Sequence, residues 1–245
     1  MKFVALLLLF SLPLVGQTVA WVDDSASESP LRYSGTISFD PSNRDNIACS
    51  LTGHNYSDKT VVALVIHLTV VRPDGHSVMY RHRHDHFFKD QTMMAATSPQ
   101  PRVDFVPNDI DCGTFGGQSL GKGPATPSAH AKTMFVQFDD GSTWSDPEAA
   151  SDEAYVMFQR AEALKYLQSL KSAYVQGGVT SLTQVLAADP GKWEADHKPR
   201  PEVRSKYTEL HLLNNNAAIV NQIDSYLANA QARANWMIDA PQTSR

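Results

Sequence analysis

Cysteine is scarce in this chain of 245 residues: two occur, Cys49 and Cys112. So few thiols, so far apart, exclude four-cysteine zinc sites and Cys-x-x-Cys redox motifs. In an oxidising compartment two thiols most simply pair. A loop of that length would then favour the folded state by roughly 4 kcal/mol in the chain-entropy model. Two separate buried thiols are the alternative. Positive charge is also in deficit, with 21 Lys and Arg against 26 Asp and Glu and a net charge of −5. That balance argues against nucleic acid as a partner, since non-specific binding needs a basic face. No segment reaches the about 20 apolar residues of a membrane-spanning helix.

Reaction motifs are missing as well. There is no Gly-x-Ser-x-Gly elbow, no phosphate-cradling loop before a helix and no His-Glu-x-x-His. Gly116-Gly117 and Gly121-x-Gly123 lack the lysine and the strand-to-helix context of a P-loop. Asp23-Asp24, Asp139-Asp140 and Asp152-Glu153 are sequence neighbours, and in each one partner reads as solvated turn or helix-start charge rather than half of an acid/base couple. No catalytic residue and no cofactor-binding residue is assigned.

What is present begins at the N-terminus. Lys2 precedes a run from Phe3 to Val15 that only Ser11 and Pro13 interrupt, followed by Thr18-Val19-Ala20. One positive charge, a short apolar stretch and small residues at the cleavage positions form the secretory pattern. The expected leader is residues 1–20, with cleavage before Trp21. No cysteine follows the run to carry a lipid anchor. The expected mature protein is exported, periplasmic or secreted.

The remainder changes character near residue 145. Residues 21–145 read as short strands. Leu31 to Phe39 alternates with a break at Gly35, and Ile47, Cys49 and Leu51 alternate again. Thr60 to Val71 is so rich in β-branched residues that it reads as a strand buried on both faces. Pro73-Asp74-Gly75 turns it into a hairpin with Ser77 to Phe88. Arg102 to Val106 is a short candidate strand, Cys112 to Gly123 reads as loop, and Ala131 to Phe138 leads through Asp139-Asp140-Gly141-Ser142 to Thr143-Trp144. The expected fold class is α+β: an N-terminal Ig-like antiparallel β-sandwich followed by a C-terminal helical segment over 146–245.

In that segment Ser145-Asp146-Pro147-Glu148 reads as a capped helix start. Ala163, Leu164, Leu167, Leu170 and Tyr174 then fall on one face, and Gly177-Gly178 is the expected stop. Leu182, Val185 and Leu186 suggest a short second helix ended by Asp189-Pro190-Gly191, and Val203, Tyr207, Leu210, Leu213, Val220, Ile223 and Leu227 could line one long third segment, weakest at Asn214-Asn215-Asn216. Its stripe could cover the sandwich, the first helix or a partner.

The sharpest polar feature is His82-Arg83-His84-Asp85-His86. Alternation places His82, His84 and His86 on one strand face, and imidazole suits zinc or copper. A further ligand could come from His67, His54 or Asp85. The run resembles the His-x-His-x-Asp-His signature of metallo-β-lactamase-type hydrolases but lacks one residue before Asp85, so the match is set aside. The plainer reading is a polar strand face that discourages edge pairing, with Arg81 and Arg83 opposite. Asn55-Tyr56-Ser57 is formally a glycosylation sequon.

Asn55-Tyr56-Ser57-Asp58-Lys59, the apolar run after it, Pro73-Asp74-Gly75 and Phe138-Asp139-Asp140-Gly141-Ser142-Thr143-Trp144 resemble signatures of exported bacterial proteins with an Ig-like β-sandwich. The resemblance spans roughly 45–148. It implies a sandwich, and no activity comes with it. The expectation is a non-enzymatic module that meets another envelope or extracellular protein. The alternative is a metal-binding protein or metallohydrolase built on His82, His84 and His86.

Overall fold

The computed structural model describes residues 17–39, 47–89, 118–123, 126–188, 201–213 and 215–237. Among these residues eight strands precede three helices: β1 (Gln17–Asp23), β2 (Leu31–Phe39), β3 (Ile47–Asn55), β4 (Val61–Val71), β5 (His76–Asp85), β6 (Gln118–Lys122), β7 (Ser128–Phe138), β8 (Thr143–Ser145), α1 (Ala150–Leu186), α2 (Pro201–His211) and α3 (Asn216–Ala232). A 3-10 turn, Ala234–Trp236, follows. The strands form one sheet in the order β3-β2-β1-β7-β4-β5-β6, with β8 beside β7. The class is α+β, as expected.

The sheet is mixed rather than antiparallel, which corrects one expectation. Gln17–Ala20 of β1 pairs antiparallel with β2, whereas Trp21–Asp23 pairs parallel with β7. The strand changes neighbour midway, and β7 runs in its own direction. One further correction concerns a loop. Gln118–Lys122, within the expected Cys112–Gly123 loop, is β6, paired with β5. Gln17–Ala20, the end of the expected leader, lies in β1, which leaves the leader expectation as it was. The candidate strand at 102–106 lies outside the described residues.

β4 shows why its composition was readable. Leu64, Ile66, Leu68 and Val70 join Trp21, Leu31, Ile37 and Leu51 in one core. Ala63 and Val65, on the opposite face, join Met134, Phe135, Val156 and Met157. A strand enclosed on both sides selects β-branched residues at nearly every position. The break at Gly35 also has a steric cause. Its φ is +137°, and a Cβ there would lie 2.0 Å from the Ser50 carbonyl oxygen.

The helices pack on the sheet. Val62, Phe87 and Phe88 share a cluster with Ala163, Tyr166, Leu167, Leu170, Val203, Ile223 and Trp236. Three helix expectations shift. Ser145 ends β8 and donates to Glu153, Asp146 accepts from the Glu148 N–H, and α1 begins only at Ala150. Gly177-Gly178 kinks α1 instead of ending it: Gly178 sits at φ 63°, and helix resumes to bury Leu182 and Leu186. The expected long third segment is two helices. Asn215 is extended, and its side chain accepts from Ala217 N–H (2.8 Å) and Ala218 N–H (3.4 Å), capping α3.

Candidate functional site

The strongest concentration of buried charge lies where β5 meets the helices. Arg81, Arg83 and Asp85 alternate on the β5 face opposite His82 and His84, in register with His67, Val65 and Ala63 of β4. On this face Arg83 and Asp85 are largely enclosed by the helices, while Arg81 stays partly open to solvent. β6 borders β5 only along His76–Met79, while beyond it Arg81 and Arg83 pair with helical carboxylates.

Arg160 of α1 is fully buried and occupies the centre. Its Nε and Nη2 donate to the two Asp85 carboxylate oxygens at 2.8 and 2.9 Å. Its Nη1 donates to Gln137 Oε1 (2.7 Å) and the Trp236 carbonyl (3.0 Å), and its plane lies 4.8 Å from the Phe87 ring centroid. Such a two-point pair, with both Nη1 hydrogens bonded as well, is the geometry in which buried charge is tolerated. Burial alone would raise the Asp85 pKa. The Arg160 charge and hydrogen bonds outweigh it, with Arg83 and the Phe87 N–H adding, and hold the carboxyl below its ordinary value.

The seam continues outward. Arg83 Nη2 reaches Glu202 of α2 at 2.5 Å, Glu202 lies 3.5 Å from Lys206, and Lys206 lies 3.1 Å from Glu209. The Tyr226 hydroxyl of α3 donates to Glu209. Burial, then the Glu209 carboxylate, pushes that phenol's pKa up. Beside this chain, Asp152 at the start of α1 accepts from Arg81 Nε (2.8 Å) and contacts His67 Nε2 (3.1 Å). β4, β5, β7 and all three helices therefore contribute to one polar seam.

A second polar cluster lies at the surface and joins the two sequence signatures. Lys59 bridges to Asp140 Oδ2 (2.8 Å) and donates to Ser142 Oγ (2.8 Å). Asp139 N–H bonds the Thr60 carbonyl, and Trp236 Nε1 donates to the Asp139 carbonyl. Asn55 is fully buried, its amide donating to the Lys59 carbonyl and accepting from Ser57. In the folded chain the sequon asparagine is thus a turn-forming residue.

His82 and His84 share a face, their ring centroids 4.5 Å apart. His86 lies just past the end of β5. His67 and Asp85 occupy the opposite face with Asp152 and Arg160. Among the described residues no group of three or more His, Cys, Asp or Glu is placed to hold a metal ion. Cys49 lies on β3 opposite Ile37, and Cys112 lies outside the described residues. Between α1, α3 and the 3-10 turn a groove of about 470 Å³ carries Phe87, Leu164, Leu227 and Met237, with only Gln168 and Gln231 as polar lining.

Trp144 is partly buried against the strand core, and Trp21 and Trp236 are buried. Trp193 lies outside the described residues. No helix among them is long and apolar enough to cross a membrane. The chain matches no family model, no curated protein and no solved structure.

Arg160 and Gln137 were absent from the sequence reading. One signal could have found the arginine. Val156, Arg160, Ala163 and Leu167 fall on a single helical stripe, and a cation within an apolar stripe implies a buried partner.

Proposed function

We propose that this chain is an exported, non-enzymatic module that acts through protein interaction at the cell envelope, in the periplasm or as a secreted protein. The observation that carries this reading is the commitment of its buried charge. Arg160 spends its donors on Asp85, Gln137 and Trp236, and Glu202 sits between Arg83 and Lys206. Groups held this way join sheet to helices, and none is poised to exchange a proton with a substrate. The apolar groove, lined without charge, suits contact rather than chemistry.

In support of an Ig-like sandwich, residues of β1–β3 and of β4, β5 and β7 contribute to one core. Cys49 and Cys112 form its disulfide. Expression with the native N-terminus, followed by cell fractionation and intact mass, tests the proposal. Processed protein outside the cytoplasm, with no thiol open to alkylation until reduction, is expected. Unprocessed protein in the cytoplasm overturns it.

The proximity of His82 and His84 favours a second reading, a zinc or copper site on the His82, His84 and His86 cluster that forms only if the metal draws the third ring in. Metal analysis of the purified chain and its three single His→Ala variants decides it. Equal metal content in all four sinks it.

A further inference from the structure

The processing boundary expected at Ala20 coincides with a boundary in the fold. Gln17–Ala20 lies on β2, with Gln17 opposite Phe39, Thr18 opposite Ser38, Val19 opposite Ile37 and Ala20 opposite Thr36. From Trp21 onward the same strand belongs to β7. Cleavage between Ala20 and Trp21 would keep the β7-paired half, anchored by the buried Trp21 ring, and remove the half that covers β2. We infer that export processing turns the Thr36–Phe39 edge of β2 into a docking site for an extended segment of a partner protein, added antiparallel where Gln17–Ala20 lies. The inference rests on the export reading above.

The physical need is on β2 itself. Backbone groups of an edge strand require partners, and an extended segment supplies them along with side chains for alternate pockets. β2 is held on its far side by β3 over its whole length, so its other edge is a preformed template.

The segment seated there describes the occupant. Val19 is partly buried and packs against the strand core opposite the fully buried Ile37. Thr18 points outward, its hydroxyl 2.7 Å from that of Ser38, and Gln17 and Ala20 are exposed. The facing residues Thr36, Ile37, Ser38 and Phe39 carry no charge. An uncharged strand with one aliphatic side chain at the Val19 position, flanked by small or hydroxyl residues, therefore fits. Acidic or basic peptides would leave charge facing an uncharged edge.

The test uses the full chain, expressed with its own N-terminus in a secreting host. Mass spectrometry reads the N-terminus of the exported product. Hydrogen exchange then reads those amides of Thr36–Phe39 that face β1, with and without a synthetic peptide of residues 14–20. The expected result is an N-terminus at Trp21 and rapid exchange at this edge. The peptide should slow it about tenfold or more, and its Val19→Asp form should not. An N-terminus at or before Gln17 in exported protein overturns the inference and leaves export standing. So does slow exchange without peptide, an unchanged rate with it, or sedimentation showing that a second copy covers the edge. A chain retained inside the cell and starting at Met1 overturns the export reading as well.

Discussion

The molecule contains two salt-bridged corners with the same closest distance and opposite surroundings. Asp85 and Arg160 meet at 2.8 Å with 3% and 0% of their side chains exposed. Lys59 and Asp140 also meet at 2.8 Å, with 39% and 49% exposed. The first lies between sheet and helix, where neither ion can turn to water if its partner is lost. The second joins two surface turns, where both can. Distance alone therefore ranks the pairs as equals, and burial separates them.

The largest expected effect is at the buried corner. Arg160→Met should lower unfolding free energy by about 3–5 kcal/mol, because it strands the Asp85 carboxylate away from water. Urea or guanidinium titration measures it. The double variant Asp85→Leu/Arg160→Met should recover much of that loss, since replacing both ions with apolar groups removes the stranded charge. A single variant within about 0.5 kcal/mol of the parent, the range of ordinary surface changes, would erase the contrast between the corners.

Acid should act on the same pair. The folded-state pKa of Asp85 lies below its ordinary value, so the unfolded chain binds the proton more readily. The stabilisation is therefore complete above the ordinary carboxylate range of about 4 and declines as pH falls below it. Thermal unfolding from pH 6 down to pH 2 should show this decline in the parent. The Asp85→Leu/Arg160→Met chain should show less of it.

Arg83 tests the gradation between the extremes. Its side chain is 12% exposed, and it bonds Glu202 directly while lying 3.7 Å from Asp85, beyond hydrogen-bond reach. Arg83→Leu should cost about 1–3 kcal/mol, less than Arg160→Met, because Glu202 retains Lys206 nearby. Equilibrium denaturation orders the two variants. A larger loss at Arg83 would move the centre of the seam from α1 to α2.

The two corners also differ in how far the sequence revealed them. The surface corner was visible as two short signatures, of which Asp139–Ser142 read as a turn because Asp, Gly and Ser act locally, while the turn at Asn55–Lys59 emerged only with the fold. The sequence did not disclose that they touch, since that contact depends on β4 pairing with β7. β4 and its hairpin with β5 were legible for similar reasons: composition and a Pro-Asp-Gly turn act over a few residues. The buried corner was not legible. Asp85 and Arg160 are 75 residues apart, and Asp85 was read as part of the histidine run beside it. β6 was hidden by its glycine and by its partnership with β5. The parallel half of β1 was hidden because pairing direction depends on a distant strand. The Asn215 cap lay in plain view, in a run read only as a weak point.

The smallest expected effect, at the exposed corner, is the one that sharpens the comparison most. Hydrogen bonding from Lys59, then from Ser142, holds the Asp140 pKa down to about 2. The carboxylate is half exposed, so water can replace the lysine and salt can screen it. Lys59→Met should therefore move the Asp140 titration upward toward its ordinary range, read by side-chain carboxyl NMR. The thermal midpoint should change little, and less still in added salt. Part of the shift should survive, because the Ser142 hydroxyl (2.5 Å) and N–H (2.9 Å) still donate to Asp140. A loss of stability matching that of Arg160→Met would mean that the turn contact between β3–β4 and β7–β8 organises the sheet. The distinction between a buried ion pair that holds layers together and an exposed one that only tunes a carboxylate would then fail for this molecule.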